Sequence, residues 1–368
     1  MLKGWCAVSQ ERLAALRMLF EAAQIDGLLV ANSQNRRYLS GFTGSAGLLI
    51  IDAQRALLIS DGRYTVQAAQ EASQFETITR TLDESLYSCV GRHIAPIKRL
   101  GFEPATLSVA DYNALRQALP ADVTLVAIGA LTEQLRAIKS DEEVAALRQA
   151  INITDQALAA VKPMLRPSML EREVAWELHK AIVEHGGDGL AFEIIVGAGL
   201  NSALPHYHAG NAPLGQGQPI VVDFGALYAG YHGDMTRTLV LGQPDAKFDE
   251  IYGIVRHALA DATNGITANT TGKEADALAR DVIEASGYGE YFSHGTGHGV
   301  GLQIHEEPRL SRVHNDLLPV GSIFSIEPGI YLPDWGGVRL ENLVLLNANG
   351  VETLTQSPLD PIIVIEQA

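Results

Sequence analysis

Apolar side chains recur at two different spacings in the first third of the chain. Residues 10–24 repeat them at a helical spacing, and a short apolar run at residues 27–30 follows. The same criteria predict further helices at residues 64–72, 84–93 and 109–119, and further strands at 47–52, 56–60, 77–79, 99–102 and 125–128. Strands that alternate with helices predict a compact α/β domain. The polar, glycine-containing stretch 32–47 is predicted to be a loop.

The rest of the chain shows pairs of helical patterns, each followed by strand-rich segments. Ser140 is followed three residues later by Glu143, a capping-box pattern that opens a long predicted helix, and a second helix is predicted at residues 168–185. A second pair is predicted at residues 249–262 and 273–286. We therefore expect an α+β fold of two domains, 1–131 and 132–368, the second containing two similar halves.

Two aspartates lie within a predicted β-hairpin. Residues 221–224 have the pattern of a buried strand, residues 225–233 of a reversal, and residues 235–240 of the returning strand. Such a hairpin brings Asp223 and Asp234 together. Because a buried carboxylate is costly unless it is paired or bound to a metal ion, one interpretation is a metal site. The other is that both side chains lie in an exposed turn and are solvated there.

Further candidate ligands follow the hairpin. A glycine-rich segment carries three histidines, and two glutamates lie beyond it, namely His294, His298 and His305, then Glu327 and Glu341. The two aspartates, His298 and the two glutamates are mostly oxygen donors with one imidazole. That set suits two divalent ions of the manganese type better than a thiolate-preferring ion. Each residue alone has an ordinary structural explanation, but five such explanations holding together are improbable.

Composition narrows the possible partners. The formal net charge of −16 and the absence of any basic run argue against a nucleic-acid partner. No phosphate-binding GxGxxG or GK[ST] motif occurs, and the two cysteines form no CxxC pair. The N-terminal residues lack the apolar run of a signal peptide, and no segment has the length of a membrane span. These features predict a cytoplasmic protein without a membrane partner.

The five motifs, in this order and spacing, resemble the metallopeptidase family that contains methionine aminopeptidase, aminopeptidase P and prolidase. This similarity extends from about Ile138 to the C-terminus, and residues 37–47 and 60–64 resemble the accessory domain of the proline-specific members. The resemblance implies a C-terminal pita-bread catalytic domain, with curved antiparallel sheets flanked by paired helices, after a smaller creatinase-like α/β domain. It also implies a homodimer and two divalent metal ions, with Mn²⁺ favoured and Co²⁺ or Zn²⁺ as alternatives.

The resemblance also implies a role for each of the five candidate ligands. Asp223 would chelate one metal ion, His298 and Glu327 would bind the other, and Asp234 and Glu341 would bridge both. Four carboxylates would offset two dications and leave a bridging water whose pKa is lowered toward neutrality. The resulting hydroxide would attack the scissile carbonyl, with Glu327 taking the proton of the water.

Other residues match positions around the family's metal site. His206 and His305 would hold the scissile carbonyl and the oxyanion that develops on it, and His294 would lie nearer the far side of the substrate. Arg339, two residues before Glu341 and expected on the same face of one strand, would border the substrate. Arg309 could bind a free prolyl carboxylate, although an ordinary surface arginine explains it equally well.

Two further roles are predicted outside this set. Thr236 would hydrogen-bond to a metal-binding carboxylate, unless it is an ordinary strand residue. The cluster Arg36, Arg37 and Tyr38 would approach an active site, often across a dimer in this family, unless it belongs to an ordinary connection.

The predicted activity is hydrolysis of the Xaa-Pro bond by a metallo-exopeptidase that acts on Xaa-Pro dipeptides or short peptides. The accessory domain favours the proline-specific branch, because the minimal methionine aminopeptidases lack it. The shortness of that domain and Arg309 favour prolidase, and aminopeptidase P acting on longer peptides is the alternative. A non-catalytic peptide-binding member, or a metal-free C–N hydrolase resembling creatinase, is disfavoured because all five ligands are present.

Overall fold

The computed structural model describes residues 2–363, with side chains from residue 10 onward. The chain forms two compact units, Met1–Arg136 and Ala137–Ala368. The boundary predicted from the sequence, between residues 131 and 132, lies at the start of the helix Leu131–Ala137, and the observed division falls five residues later, near the end of that helix. Within the described residues, no helix combines the length and the apolar character needed to cross a membrane.

The first unit is a mixed sheet flanked by helices. Its strands are β1 Gly27–Val30, β2 Leu48–Asp52, β3 Ala56–Ser60, β4 Glu76–Thr79, β5 Arg99–Phe102 and β6 Thr124–Ala127. Its helices are α1 Leu2–Met18, α2 Ser33–Ser40, α3 Thr65–Glu71, α4 Leu86–His93, α5 Val109–Ala118 and α6 Leu131–Ala137. The sheet order is β4-β3-β2-β1-β5-β6, with antiparallel pairing of β2 to β1 and β3 and parallel pairing elsewhere. The predicted α/β organisation is confirmed.

The loop predicted at residues 32–47 is wrong, because its first part is the helix α2. The Asn32 side chain caps this helix by accepting hydrogen bonds from the amides of Gln34 and Asn35, and Gly41 ends it at a φ of 79°. The Arg36 guanidinium is buried and donates to the carbonyls of Gly44 and Gly47 at 2.6 and 2.7 Å. Arg36 therefore holds the following loop in place, and the approach of Arg36, Arg37 and Tyr38 to an active site stays a prediction.

The second unit contains two helix pairs and several antiparallel sheets. Its helices are α7 Asp141–Val161, α8 Glu171–Glu184, α9 Ala246–Gly265 and α10 Gly272–Ala285. Its strands are β7 Gly189–Leu190, β8 Ile195–Ala198, β9 Ile220–Phe224, β10 Ala226–Tyr228, β11 Tyr231–His232, β12 Met235–Leu241, β13 Gly297–Gly299, β14 Glu306–Leu310, β15 Ile323–Ile326, β16 Gly329–Leu332, β17 Gly336–Arg339, β18 Asn342–Asn347, β19 Gly350–Thr353 and β20 Ile362–Ile363.

Each helix pair packs on one sheet. Apolar side chains of α7 and α8 form a core with the sheet β20-β12-β9-β8, and those of α9 and α10 form a second core with the sheet β14-β13-β15-β18-β19. The predicted capping box of Ser140 and Glu143 is confirmed at the start of α7, and Thr271 and Glu274 form another at the start of α10. The α+β organisation is thus confirmed, with one helix pair on each of two sheets, and the similarity of the two halves stays a prediction.

Candidate active site

A cavity of about 500 Å³ in the second unit brings the predicted site residues together. Its walls include the five predicted ligands and the five other predicted site residues, namely Asp223, Asp234, His298, Glu327 and Glu341, and His206, His294, His305, Arg309 and Arg339. Apolar side chains line another part of the wall, among them Phe192, Ile195 and Ile304. The cavity thus combines a polar cluster with an apolar surface, as small-molecule sites commonly do.

Short strands and their ends position the polar cluster. Asp223 lies on β9 opposite Thr236 of β12, and Asp234 immediately precedes β12, so the predicted hairpin is confirmed. The predicted reversal between them is not a simple turn, because it contains β10 and β11. His298 lies in the middle of β13, and Glu327 directly follows β15.

Arg339 and Glu341 do not share a strand as predicted. Arg339 ends β17, whereas Glu341 lies in the connection to β18, so strand alternation does not explain their proximity. A threonine brings them together instead. Thr236 Oγ1 donates to Glu341 Oε2 at 2.7 Å and accepts from Arg339 Nε at 3.1 Å. The predicted hydrogen bond of Thr236 to a carboxylate of the site is therefore present.

Three of the predicted ligands form the tightest group. Asp234, His298 and Glu341 are all buried, and one potential ligand atom of each lies within 4.8 Å of the others. Each of the other two predicted ligands contacts a neighbouring side chain of the site. Glu327 Oε1 lies 3.2 Å from His298 Nε2, and Asp223 Oδ2 lies 2.6 Å from Arg339 Nη2. The second oxygen of Asp223, Oδ1, is buried and has no hydrogen-bond partner among the described residues.

Burial and mutual repulsion make most of these carboxylates reluctant to ionise. Burial, followed by the charges of neighbouring carboxylates, raises the pKa of Asp234 well above its usual value and that of Glu341 to about 8. The pKa of Asp223 is also raised by burial, against the pull of the Arg339 charge. Burial acts on Glu327 in the same sense, but the hydrogen bond and charge of His298 outweigh it and lower the Glu327 pKa to about 2.

This donor set fits divalent cations. Carboxylates held together in a cavity repel one another, and the Asp223 oxygen without a partner has an unmet need for a donor or cation. Arg339 satisfies only the other oxygen of Asp223. Oxygen donors with a single imidazole are the preference of manganese-type ions. The residues present therefore suit a hard divalent metal, and the cluster contains no cysteine.

The predicted histidines occupy different parts of the cavity wall. His294 Nε2 lies 2.8 Å from the Tyr331 hydroxyl, which accepts from Arg339 Nη1 at 2.8 Å, and burial lowers the His294 pKa. The exposed His305 packs edge-on against His298 with ring centroids 4.3 Å apart. Partial desolvation, followed by the charges of His298 and Arg309, lowers the His305 pKa to about 4. His305 is thus neutral near pH 7.

Two residues with close ties to the site were missed from the sequence. Tyr331, four residues after Glu327, joins His294 to Arg339, and its position in the same short segment was a usable signal. Glu171, at the start of α8, binds the loop that carries His206. No local pattern indicates this second role, because its partners lie 27 to 39 residues away in the sequence.

Comparison with known proteins decides the family. The profile of metallopeptidase family M24 matches residues 145–348, and that of the creatinase/prolidase N-terminal domain matches residues 12–138. The chain belongs to metallopeptidase family M24. It is therefore an enzyme, and members of this family use divalent metal ions. The M24 matches also confirm the predicted pita-bread catalytic domain and creatinase-like N-terminal domain.

Relatives of this M24 enzyme resemble it over nearly its whole length. An uncharacterized peptidase of Bacillus subtilis is 42% identical over 96% of this chain and 99% of its own length. The structure of an Xaa-Pro dipeptidase from Bacillus anthracis has a TM-score of 0.94 and 41% identity, and covers 97% of this chain and 100% of that one. The structure of an X-Pro aminopeptidase from Thermotoga maritima has a TM-score of 0.86 and 35% identity, and covers 94% of this chain and 99% of that one.

Proposed function

We propose that this M24 enzyme is a dinuclear-metal exopeptidase that hydrolyses Xaa-Pro bonds, with Xaa-Pro dipeptides as its preferred substrates. One observation carries the proposal. The four carboxylates and the imidazole of the five candidate ligands line one cavity, and a buried oxygen of one of those carboxylates, Asp223 Oδ1, has no partner among the described residues. Such a cluster is unstable as a set of anions and becomes stable when dications offset its charge.

The five candidate ligands would divide between two ions. Asp223 would bind one ion, His298 and Glu327 the other, and Asp234 and Glu341 would bridge them, with Mn²⁺ favoured over Co²⁺ or Zn²⁺. When bound, such ions would lower the pKa of a coordinated water and polarise the carbonyl of the substrate.

The protein's own side chains would carry the remaining steps. Glu327, whose Oε1 lies 3.2 Å from His298 Nε2 within the cluster, would accept the proton of the attacking water. The exposed rings of His206 and His305 would donate to the carbonyl oxygen as negative charge develops there. The low pKa of His305, about 4, means that it would donate as a neutral imidazole. Arg339 would hold Asp223 in place through their 2.6 Å ion pair.

The preference for dipeptides depends on Arg309. This residue lies on β14 in the cavity wall, and no ion pair or side-chain hydrogen bond occupies its guanidinium within residues 10–363. A dipeptide that ends in proline offers a free carboxylate, for which a planar guanidinium is the natural partner. The relative from Bacillus anthracis, an Xaa-Pro dipeptidase, supports this choice. The aminopeptidase from Thermotoga maritima supports the alternative, removal of the first residue from longer Xaa-Pro peptides.

Metal stoichiometry tests the dinuclear site. We expect about two Mn²⁺ ions per chain by elemental analysis after dialysis. Asp234→Ala and Glu341→Ala each remove a bridging carboxylate, and each is expected to lower the metal content and abolish hydrolysis. Asp249→Ala, which changes an exposed aspartate on α9, is the matched control and is expected to retain both. One ion per chain in the parent, or retained turnover in either bridging variant, would contradict the proposal.

The homodimer and the cytoplasmic location remain predictions. Size-exclusion chromatography with light scattering would test the first, and fractionation of cells that express the protein would test the second.

A further inference from the structure

The loop that carries His206 is bound on one side by a buried carboxylate. We call residues 199–210 the His206 loop. The Glu171 side chain, at the start of α8, is fully buried, and its Oε1 accepts from the amide of Ala198 and from Asn201 Nδ2, both at 2.9 Å. Its Oε2 accepts from the Tyr207 hydroxyl at 2.9 Å and from the amide of Gly210 at 3.1 Å. Glu171 therefore binds both ends of the loop and a residue next to His206.

These four bonds use the acceptor capacity of the carboxylate fully. An ionised carboxylate offers about four acceptor sites and no donor, and each oxygen of Glu171 receives two donors. No ion pair compensates Glu171 within the described residues, so its charge is stabilised by hydrogen bonds from neutral groups. The match between donors and acceptors defines one arrangement of the loop, because any shift leaves a buried donor or acceptor without a partner.

The other side of His206 is held by the metal-site cluster. The carbonyl of Pro205, the residue before His206, accepts from Arg339 Nη1 at 3.3 Å, and Arg339 also pairs with Asp223. Tyr207, the residue after His206, donates to Glu171. His206 thus lies between two anchors, with its own ring exposed to the cavity.

The Tyr207 hydroxyl is the central contact on the Glu171 side. It donates to Glu171 and accepts from Asn201 Nδ2 at 2.9 Å, which links the start of the loop to the residue after His206. Gly210 passes so close that a Cβ there would lie 2.8 Å from the same hydroxyl. The packing around this hydroxyl therefore leaves the loop little freedom to move while the bonds persist.

We infer that Glu171 and Tyr207 are positioning residues for His206, and that through it they set the rate of the chemical step. This inference rests on the proposed function for the role of His206. A donor that stabilises an oxyanion must be fixed where the charge develops, because a small displacement removes most of its effect. Glu171 would fix it from outside the cavity wall, and Tyr207, which lines the cavity, would do so through the hydrogen bond of its hydroxyl to Glu171.

A double-mutant cycle tests this coupling on the Mn²⁺-loaded enzyme. We expect His206→Ala to lower kcat about 100-fold, as the loss of an oxyanion donor does, with metal content unchanged. Tyr207→Phe keeps the ring and removes only the hydroxyl, and it is expected to lower kcat about tenfold with little change in KM. Added to His206→Ala, Tyr207→Phe should cause almost no further loss, because its effect acts through His206. Losses that multiply independently would overturn the inference.

Glu171→Gln provides a second variant of the same contact. The amide group of the glutamine would direct its own N–H groups at some of the four donors, which would then lack an acceptor. We therefore expect a loss of kcat similar to that of Tyr207→Phe. In the His206→Ala background this loss should again be absent. Glu173→Gln is the matched control, because Glu173 lies two residues further along the same helix and is exposed. Among the described residues, its carboxylate accepts a hydrogen bond only from the amide of Leu170, which a glutamine oxygen can also accept. It is expected to match the parent in kcat.

Hydrogen exchange tests the positioning independently of peptide hydrolysis. Measured on the metal-free protein by mass spectrometry, amides of residues 199–210 should exchange about tenfold faster in Tyr207→Phe and Glu171→Gln than in the parent and in Glu173→Gln, while α9 is unchanged. Unaltered exchange in the loop would overturn the inference even if activity fell. If the parent hydrolyses no peptide, the proposed function fails, whereas the exchange data still decide whether these residues hold the loop. If Glu171→Gln does not fold, Tyr207→Phe decides both measurements.

Discussion

At the scale of single residues, the cavity concentrates negative charge that the protein only partly compensates. Asp234 and Glu341 are buried beside each other and beside Glu327, and their pKa values rise because each ionisation makes the next less favourable. Of the four carboxylates, Asp223 is the one that forms an ion pair with Arg339. Without metal ions, such a site resists ionisation, and this resistance should be measurable in the stability of the protein.

The contribution of Glu341 to the free energy of unfolding of the metal-free protein should fall as the pH rises. Glu341 has a pKa of about 8 when folded against an ordinary value of 4.5, so between these values the folded protein keeps a proton that the unfolded chain has released. The stabilisation that this proton contributes is therefore fully present below pH 4.5. It is lost as the pH rises toward 8, by at most about 1.4 kcal/mol per pH unit.

Calorimetry at pH 5, 6.5 and 8 measures this dependence. We expect the melting temperature of the metal-free protein to decline over the series and the decline to be smaller in Glu341→Gln, which cannot ionise. Glu184→Gln, an exposed glutamate at the end of α8, is the control and should retain the full decline. A decline in Glu341→Gln as steep as that of the metal-free parent would show that the argument is wrong.

At the scale of elements, close backbone packing places His298 in the cluster. A Cβ at Gly297 would lie 1.9 Å from the carbonyl oxygen of Ser325 on β15, and one at Gly299 would lie 2.0 Å from that of Glu307 on β14. Glycine on either side of His298 therefore lets β13 approach both neighbouring strands, and the register shifts between His298 and Gly299. Both nearest atoms belong to the backbone rather than to a flexible side chain, so a larger residue at Gly297 or Gly299 must displace a strand.

Gly297→Ala is therefore expected to destabilise the protein. Overpacking of this kind lowers the free energy of unfolding by roughly 1–3 kcal/mol, and the displaced β13 should also bind metal through His298 less tightly. Gly253→Ala is the matched control, because Gly253 lies within α9 with open space around it. There the same change should raise stability by roughly 0.5–1 kcal/mol, since alanine favours a helix. Urea unfolding measures both, and equal effects of the two substitutions would refute the packing argument.

The elements also show which features the sequence could predict. Apolar periodicity and capping patterns suffice for β1, β5 and α7, because those signals are local. The sequence does not predict the helix α2, because a segment this polar is ordinarily exposed to solvent. Here a polar side chain, Arg36, is instead buried and donates to backbone carbonyls. Strand alternation places Arg339 and Glu341 on one face only if a single strand continues through both residues. The strand β17 ends at Arg339, so that prediction is wrong.

At the scale of the whole molecule, the order of the five motifs along the chain predicted the candidate ligands better than the spacing between them alone. The five candidate ligands could be named because the family keeps them in one sequence order, and they do line one cavity. The anchors of the His206 loop could not be predicted, because the bonds of Glu171 join residues 27 to 39 positions apart and depend on tertiary packing. Resemblance to known proteins thus predicts the reacting groups, and the structure adds side chains that contact the segments carrying them.

Turnover by the Mn²⁺-loaded protein of an Xaa-Pro dipeptide, beside the same peptide extended by two residues, tests the central claim most directly. We expect rapid hydrolysis of the dipeptide, slow hydrolysis of the longer peptide and loss of both with a chelator. Arg309→Ala should raise KM for the dipeptide by about tenfold, because its carboxylate loses a charged partner. Preference for the longer peptide would favour an aminopeptidase P. Hydrolysis of neither peptide, or hydrolysis that a chelator leaves unchanged, would contradict the proposed Xaa-Pro metallopeptidase.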